Sequence, residues 1–328
     1  MTAMSTRAKL GVVAASAVVL AAVAVGYAAT AAEPTRTPSS TAAGDQPVTL
    51  TAGPRLLALT DRYVSSVATA DPAGPRTVSG LECLRVYAAG GTGVCLKPDT
   101  PWTYQVVVLD AELRPTRSLT IPGLPNRARV SASGRMVAWT TFVGGDSYTS
   151  SGFSTRTGIL DTVSGATVTS LEEFAVRRDG RAYRNADVNF WGVTFAADDN
   201  RFYATMSTGG KRYLVRGDVA ARTVETMKEN VECPSLSPDG TRIAFKEAVG
   251  ADPTKGWRLS VLDLATMRVT ATAETASVDD QAAWLDDATL AYTLRKSDGQ
   301  PDVWTVRADG PAAPRLLMPG AESPAPLR

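Results

Sequence analysis

The sequence predicts an all-β fold, a single β-propeller most simply built from six four-stranded blades. Three observations lead there: a hairpin motif recurs in phase along the chain, a second hairpin stands between successive copies, and strand-like segments at both termini can complete a last blade. Repeats of about 40–45 residues with four short strands each are typical of propeller blades. Seven blades is the alternative count.

The best-preserved copy of the motif is "LSPDGTRIAF", residues 236–245. Pro238-Asp239-Gly240 between two β-prone runs predicts a tight turn, because proline presets the turn φ and glycine accepts positive φ. We therefore expect Asp239 and Arg242 to serve the turn and blade packing. Four further copies align with it: "ECLRVYAAGGTGVCL" (82–96), "VSASGRMVAW" (130–139), "FAADDNRFYA" (195–204) and "WLDDATLAY" (284–292).

The spacing of the copies sets the blade count. Their cores end at residues 95, 139, 204, 245 and 292, so the steps are 44, 65, 41 and 47 residues and one step holds an insertion. Second hairpins are predicted in each interval, over 104–121, 157–171, 213–227, 257–273 and 302–318. The C-terminal "AESPAPLR" resembles the opening strand of another blade, whose missing strands can come from residues 55–78. Such closure would remove open sheet edges.

The N-terminus is predicted to be a targeting segment over residues 1–32. Arg7 and Lys9 precede an uncharged apolar run from Leu10 to Ala32, and Ala29-Thr30-Ala31 is a small-residue cleavage site. The run of 23 residues is also long enough to span a bilayer as an uncleaved anchor helix. We expect an extracytoplasmic protein, secreted or anchored to the cytoplasmic membrane and facing outward.

Two further segments complete the predicted organisation. Residues 33–48 are rich in Pro, Ser, Thr and Ala without apolar periodicity, which indicates a flexible linker. Residues 49–328 form the propeller.

Composition excludes several kinds of chemistry. The chain has no histidine, which removes Ser-His-Asp and Cys-His catalysis and histidine-bearing zinc sites. The net charge is +1 without runs of like charge, so no electrostatic footprint for nucleic acid is present.

The three cysteines have different expected roles. Cys83 and Cys95 flank an 11-residue segment and are expected on adjacent strands of one hairpin, so in an exported chain they predict a disulfide. Cys233 occupies in its own copy of the motif the position of Cys83. It is predicted to be a buried free thiol acting as a small hydrophobe. A reactive thiol is the alternative, disfavoured because no histidine can activate it.

A ligand site is predicted where the repeat is interrupted. The 65-residue step implies long connections over 143–158 and 175–192, and binding residues concentrate on such loops. Arginine mixed with aromatic residues is typical of interface anchors. The candidate residues are Asp146, Tyr148, Arg181, Tyr183, Arg184 and Trp191. The alternative is a solvated polar loop whose Trp191 packs between blades.

Three acidic pairs are candidate calcium ligands: Asp198-Asp199, Asp279-Asp280 and Asp286-Asp287. Four of these six carboxylates fall in predicted blade turns, where Asp bonds its own backbone. No D-x-D-x-D-G spacing occurs, so the turn interpretation is favoured and neither metal nor cofactor is predicted. Sequence leaves open whether two carboxylates approach as in a glycosidase.

The "LSPDGTRIAF" core resembles the WD40-like (PD40) repeat of the TolB-like β-propeller family, without the Gly-His and Trp-Asp signature of true WD40 repeats. The resemblance covers about residues 50–328 at blade level. It implies an exported propeller. TolB itself carries an α/β domain before its propeller and works with a peptidoglycan-associated partner, whereas here the 33–47 linker stands in that place. Related propellers fused to peptidases carry a hydrolase domain, which this sequence lacks after its last repeat.

These observations favour a non-catalytic binding or scaffold protein at the cell envelope, a monomer whose ligand is a protein, a peptide or a cell-wall component. Membrane contact is expected through the N-terminal segment alone, and no nucleic acid is expected. The alternative is a calcium-assisted hydrolase of the lactonase type, with carboxylates and an Asn converging on the central channel. A purely structural envelope protein is a third, weaker hypothesis.

Overall fold

The strands of this chain are short apolar runs buried on both faces. In "RLLALT", residues 55–60, the four central side chains are all buried. Alternate residues of a strand point to opposite faces. Leu57 and Leu59 accordingly pack in one apolar cluster and Leu56 and Ala58 in another. Such a strand needs a sheet on each side, which a ring of blades provides.

The computed structural model describes residues 47–100, 103–144 and 154–328. Its strands form six sheets, which we number as blades. Blade 1 contains β1 (Arg55–Thr60), β2 (Tyr63–Ala68) and β3 (Thr77–Glu82). Blade 2 contains β4 (Arg85–Ala89), β5 (Thr92–Thr100), β6 (Thr103–Leu109) and β7 (Pro115–Ile121). Blade 3 contains β8 (Leu124–Val130), β9 (Met136–Val143), β10 (Ser154–Asp161) and β11 (Thr167–Val168).

The second half of the chain supplies the other blades. Blade 4 contains β12 (Ala175–Arg178), β13 (Arg181–Tyr183), β14 (Asn189–Phe195), β15 (Arg201–Thr208), β16 (Lys211–Asp218) and β17 (Thr223–Glu229). Blade 5 contains β18 (Glu232–Leu236), β19 (Arg242–Ala248), β20 (Trp257–Asp263) and β21 (Val269–Ala271). Blade 6 contains β22 (Ala283–Trp284), β23 (Thr289–Arg295), β24 (Pro301–Arg307) and β25 (Arg315–Met318). The last strand, β26 (Glu322–Leu327), belongs to blade 1.

Helical structure in the described ranges is confined to three short 3-10 helices, at Leu171–Glu173, Val249–Ala251 and Pro253–Lys255. Within these ranges no helix is long and apolar enough to cross a bilayer. The predicted targeting segment lies outside the described residues.

The ring closes as the sequence predicts. Strand β26 pairs antiparallel with β1, with Leu327 opposite Arg55 and Ala325 opposite Leu57. The first strands β4, β8, β14, β18, β22 and β26 contact one another in a closed circuit. The fold is therefore a six-bladed β-propeller whose first blade combines both termini of the described chain, and six is confirmed over seven.

The five motif turns join the first two strands of blades 2 to 6 and lie at one end of the ring, which we call the turn face. Neighbouring turns contact each other: Ser133 Oγ donates to Asp199 Oδ2 at 2.7 Å, and Asp239 N donates to Asp287 Oδ1 at 3.0 Å. The Arg242 guanidinium lies 5.3 Å from the centroid of the Trp284 ring. Asp239 and Arg242 thus have the predicted turn and packing roles.

The core is divided among the blade interfaces. In the described part of the chain six apolar clusters occur, and each joins two adjacent blades. The blade 3–4 cluster unites Ile159 with Phe190 and Phe202, and the blade 4–5 cluster unites Leu214 with Phe245. Burial of both sheet faces explains why the strands carry continuous apolar runs.

The insertion differs from the expected long loop. Residues 175–183 form a hairpin, β12 and β13, and β12 pairs in parallel with β17, so blade 4 has six strands. The hairpin turn is Asp179-Gly180, with φ of 51° and 71°. Asp-Gly between alternating residues favours a two-residue hairpin turn with positive φ at both positions, and the sequence interpretation overlooked this signal.

The predicted cysteine pair lies at the start of blade 2. Cys83 precedes β4 by two residues rather than lying on it, and Cys95 is within β5. Their Cα atoms are 5.5 Å apart and the structure joins their sulfur atoms. Both belong to the apolar cluster between blades 1 and 2.

Candidate functional site

The end of the ring opposite the turn face holds a cavity of about 790 Å³, which we call the cup. It forms where the first strands of the blades begin. Each blade contributes to its lining, through Glu322 of blade 1, Arg85 of blade 2, Arg127 of blade 3, Trp191 of blade 4, Glu232 of blade 5 and Asp280, which precedes β22, of blade 6.

A repeated backbone feature shapes three sides of the cup. Gly192, Cys233 and Ser323 have φ of 66°, 48° and 56°, and the pairing of each strand is interrupted by a bulge there. A bulge redirects neighbouring side chains. The residue before each of them, Trp191, Glu232 or Glu322, lines the cup.

Lys246 is the centre of the ion network in the cup. Its Nζ lies 2.5 Å from Asp279 Oδ1, 3.5 Å from Glu232 Oε2 and 4.0 Å from the Trp257 ring centroid. Its side chain is 7 % exposed. Burial acts to lower the pKa of Lys246, but Cys233 and the two carboxylates outweigh it, so the pKa lies above its usual value. The ammonium is held charged.

Arg127 approaches Asp279 from the other side. Its Nη2 donates to the Asp279 carbonyl oxygen at 3.3 Å and lies 3.5 Å from Oδ1. Burial opposes the charged guanidinium, but Cys233, Asp280 and Asp279 outweigh it and raise the pKa of Arg127. Desolvation acts to raise the pKa of Asp279, and Lys246 and Arg127 overcome it, so that pKa is lowered.

The remaining carboxylates of the cup also face cations. Arg212 Nε lies 3.1 Å from Glu232 Oε1, and burial still raises the pKa of Glu232 above its usual value. Arg295 Nη2 lies 2.5 Å from Glu322 Oε2. Asp280 accepts from the backbone N of Gln281 and Thr293 and faces Arg85 at 3.6 Å.

No cluster of three or more Cys, Asp or Glu side chains that could hold a metal ion occurs in the described ranges. Of the three acidic pairs, Asp279-Asp280 lines the cup. Asp198 and Asp286 accept hydrogen bonds from backbone N–H groups of their own turns, as expected.

Part of the cup lining is apolar. Trp191, Trp257, Pro253 and Leu294 form it together with Phe142, which is 38 % exposed. Phe142 lies opposite Leu124 in the β8–β9 ladder, and Leu124 is 53 % exposed.

Below the ion network the channel is filled. Arg129 Nη2 donates to Ala282 O at 3.2 Å, and its guanidinium lies 4.2 Å from the Tyr87 ring centroid. Gln281 Nε2 donates to the carbonyl oxygens of Val193 and Pro234. A cavity of about 30 Å³ is left there. The cup is therefore closed at its base, a receptacle rather than a passage.

The residues proposed from sequence do not converge on one site. Trp191 lines the cup, while Tyr183 and Arg184 line a separate cavity of about 660 Å³ beside Glu172. Arg181 is exposed on β13, and Asp146 and Tyr148 lie outside the described residues.

Sequence reasoning missed Arg127, Lys246 and Trp257, and it considered Asp279 only as a possible calcium ligand. One signal was present: "ECP" at 232–234 and "ESP" at 322–324 mark equivalent strand starts, and each places a glutamate in the cup.

Cys233 is free and buried, as predicted, but its surroundings are polar. It lines the cup and belongs to none of the six apolar clusters. The prediction that it acts as a small hydrophobe is therefore not supported by its neighbours.

The fold and the cup define a six-bladed β-propeller with a blind cavity on its axis. No protein-family model matches the chain. A TolB homolog of Chlorobium luteolum (strain DSM 273 / BCRC 81028 / 2530) is 34 % identical over 77 residues, which cover 24 % of this chain and 16 % of the relative. TolB from Acinetobacter baumannii has a similar structure, with a TM-score of 0.60 at 14 % identity over 83 % of this chain and 66 % of that one.

Two further structures share the fold. A putative TolB from Agrobacterium tumefaciens has a TM-score of 0.50 at 11 % identity, covering 82 % of this chain and 90 % of that one. A chain of a nidogen/laminin complex has a TM-score of 0.55 at 11 % identity, covering 83 % and 98 %. The matched part of the chain spans less than two thirds of the C. luteolum and A. baumannii proteins. The sequence match and the fold together confirm the predicted resemblance to the TolB-like propellers.

Proposed function

We propose that this chain is an exported, non-catalytic propeller that binds a protein or peptide ligand in the cup, at the cell envelope. The observation that carries the proposal is the lining of the cup, where Trp191 and Trp257 stand beside a network of paired arginine, lysine and carboxylate side chains. Trp and Arg are enriched among the residues that dominate binding energy, especially in desolvated pockets.

The apolar edge of the cup supports a protein partner. Leu124 and Phe142 are large, exposed and adjacent in register, and they extend the apolar lining outward. Contiguous exposed apolar surface beside a cavity is typical of protein interaction sites. The fixed charges beneath would select the partner, because electrostatic complementarity sets specificity.

Export is supported by the sequence of residues 1–32, with its basic start, apolar run and small-residue cleavage site. The resemblance to TolB-like propellers supports the same location. The 33–48 linker would give the propeller reach from a membrane anchor if the segment is retained.

A non-catalytic role is supported by the ion pairs that the cup carboxylates form. Glu232, Asp279, Asp280 and Glu322 each lie within 4 Å of a cationic side chain. A carboxylate engaged in this way is a poor calcium ligand unless its partner moves. We expect millimolar calcium to leave the melting temperature unchanged, and a calcium-dependent rise would favour the hydrolase alternative.

Binding is tested by comparing one change in the cup with one at the opposite end of the ring. Trp257→Ala removes an aromatic wall of the cup. Val163→Ala is the matched control, because Val163 is 78 % exposed and lies on the turn face. Its position there is shown by the preceding residue, Thr162, whose backbone N donates to the Arg135 carbonyl oxygen.

The measurement has two stages. Partners are captured from an envelope extract with the wild-type propeller, identified by mass spectrometry, purified and titrated calorimetrically against all three proteins. We expect Trp257→Ala to weaken binding about tenfold or more, a loss of about 1.4 kcal/mol, and Val163→Ala to leave it unchanged. Equal affinity of all three proteins, or no specific partner, would contradict the proposal.

A further inference from the structure

We propose that the β12–β13 hairpin is a second docking surface, at which an extended acidic segment of a partner protein adds as a strand to the open edge of β13. This surface is at the outer edge of blade 4 and is distinct from the cup. Its use does not depend on the binding function proposed for the cup.

Strand β13 is the outer edge of the blade 4 sheet, whose order runs from β14 at the axis to β12 and then β13. Arg178 lies opposite Arg181 next to the two-residue turn, and Arg177 lies opposite Ala182. Opposed residues in an antiparallel pair alternate between bonded and non-bonded, and the pair that closes a two-residue turn is bonded. The N–H and C=O groups of Ala182 therefore point away from β12. Because Ala182 is exposed, they form an open donor and acceptor at the edge of the sheet.

A groove of about 660 Å³ lies next to this edge, and Ala182 itself lines it. Ala175 and Ala186 also line the groove, and their exposed side chains are small. The buried side chains of Phe174 and Val176 give it an apolar surface that is continuous with the blade 3–4 cluster. Side chains of a strand alternate between its faces. A segment bonded to Ala182 would therefore place an adjacent side chain over the groove.

The hairpin carries two arginines that are free to bind an anion. Arg181 and Arg184 are exposed, and neither side chain forms an ion pair or a hydrogen bond within the described part of the chain. The ion pair found there within the hairpin joins Arg178 to Asp179, at 3.8 Å. Arg184 also lines the groove. Arginine binds carboxylates through two parallel hydrogen bonds, so these guanidinium groups favour an acidic partner.

Two glutamates line the same groove without opposing an acidic segment. Glu173 is paired with Arg222, at 2.6 Å. Both carboxylate oxygens of Glu172 are buried, and burial raises the pKa of this residue to about 7. The charge that the groove presents to a partner is therefore that of its arginine.

Charge also decides against a second copy of this chain as the occupant. Pairing β13 with itself would bring together two edges that each carry the unpaired Arg181 and Arg184. Like charges across a sheet weaken strand pairing, and charged side chains on edge strands prevent self-association. An acidic strand replaces this repulsion with attraction.

The open edge and the groove together define the chemistry of the partner. Main-chain bonds and pockets for alternate side chains act together in strand addition. Ala182 offers one donor and one acceptor, so side chains must supply most of the affinity. The segment that fits is extended, with acidic residues next to an aliphatic one.

The test is a calorimetric titration of the full chain with a peptide of alternating glutamate and valine, and with its counterpart in which lysine replaces glutamate. We expect the glutamate peptide to bind and the lysine peptide not to bind. The double variant Arg181→Gln/Arg184→Gln should bind the glutamate peptide about fivefold more weakly or less, because both free guanidinium groups are lost. Arg307→Gln/Arg315→Gln is the matched control, since it removes the same charge from exposed positions on blade 6 and should leave the affinity unchanged.

Ala182→Pro tests the strand addition itself. Proline removes the N–H at the open edge, and the hairpin should persist because that group does not bond to β12. The glutamate peptide should bind this variant more weakly, with the circular dichroism spectrum and the melting temperature unchanged. Trp257→Ala should bind the peptide as the wild type does, which separates this surface from the cup.

Four results would overturn the proposal. The first is the absence of binding by the glutamate peptide, and vesicles of phosphatidylglycerol that then bind only when Arg181 and Arg184 are present would assign the hairpin to a lipid surface. The second is equal weakening in the two double variants, which would show unspecific attraction of charge. The third is full affinity of Ala182→Pro, and the fourth is loss of peptide binding in Trp257→Ala.

Discussion

Lys246 and Asp279 meet across the interface between blades 5 and 6, with Nζ 2.5 Å from Oδ1. Lys246 comes from β19, and Asp279 from the segment before β22, 33 residues further on. The same ammonium lies over the Trp257 ring at 4.0 Å. These contacts join the ion network of the cup to its aromatic lining.

Removal of this ammonium should destabilise the ring. Lys246→Met leaves Glu232, whose side chain is 6 % exposed, with Arg212 as its remaining cation. We expect the free energy of unfolding in urea to fall by about 2 kcal/mol, because a buried charge loses a partner. Lys211→Met is the matched control: Lys211 pairs with Glu229 at 3.0 Å on the surface, and no measurable change is expected. Equal losses of unfolding free energy in the two variants would show that the Lys246 ion pairs stabilise the protein no more than a surface pair does.

Glu172 should make the protein less stable as pH rises. Both of its carboxylate oxygens are buried without a hydrogen-bond partner in the described structure, and burial raises its pKa to about 7. The unfolded chain loses this proton near pH of about 4.3, so between these values the folded state binds more protons and the free energy of unfolding falls with rising pH.

Glu172→Gln should remove this dependence. At pH 8 the variant is expected to be more stable than the wild type by about 1–3 kcal/mol, and near pH 5 the difference should shrink, as measured by urea unfolding at both pH values. Glu173→Gln is the control, because Glu173 pairs with Arg222 on the surface. A wild type that is more stable at pH 8 than Glu172→Gln would contradict this account.

Adjacent glycines test the contact between blades on the turn face. A Cβ on Gly90 would lie 2.5 Å from the backbone C of Ser133 in the next blade, whereas one on Gly91 meets nothing within 4 Å. Both have positive φ. We expect Gly91→Ala to cost about 1 kcal/mol from its backbone conformation, and Gly90→Ala to cost about 2–4 kcal/mol because the clash adds to it. Thermal or urea unfolding measures the stability of the two variants. Similar losses of unfolding free energy would contradict a close contact between the turns of blades 2 and 3.

The Cys83–Cys95 bridge should stabilise the blade whose turn lacks Pro-Asp-Gly. The two cysteines lie 12 positions apart in the sequence, and a closed loop of this size is worth about 3 kcal/mol by chain entropy. We expect a reductant to lower the free energy of unfolding by about that amount in a Cys233→Ser background. Peptide mapping should find the linked peptide in the exported protein, and two free thiols with unchanged unfolding would refute the bridge.

The fold could be predicted from the sequence because it repeats. The regularly spaced turns predict where each blade lies along the chain. The segment "AESPAPLR" and residues 55–78 predict how the first blade closes the ring. The β12–β13 hairpin was missed because Asp179-Gly180 falls inside an insertion, where no repeat draws attention to it.

The cup could not be predicted in the same way. Its residues come one or two at a time from all six blades, and nothing in the sequence links Arg127 to Asp279, 152 residues away. The sequence points to Trp191 because it lies in the insertion, but its place in the cup follows from the bulge on β14. Pairing between strands that are distant in sequence brings such residues together, and the local pattern does not record it.

The central claim is that the cup is the surface that recognises a partner. Photo-cross-linking in growing cells tests it most directly, with benzoylphenylalanine placed at Trp257 in one strain and at Val163 on the turn face in another. The account predicts a discrete cross-linked partner from position 257 and none from position 163. Adducts of the same partner from both positions, or from position 163 alone, would contradict it.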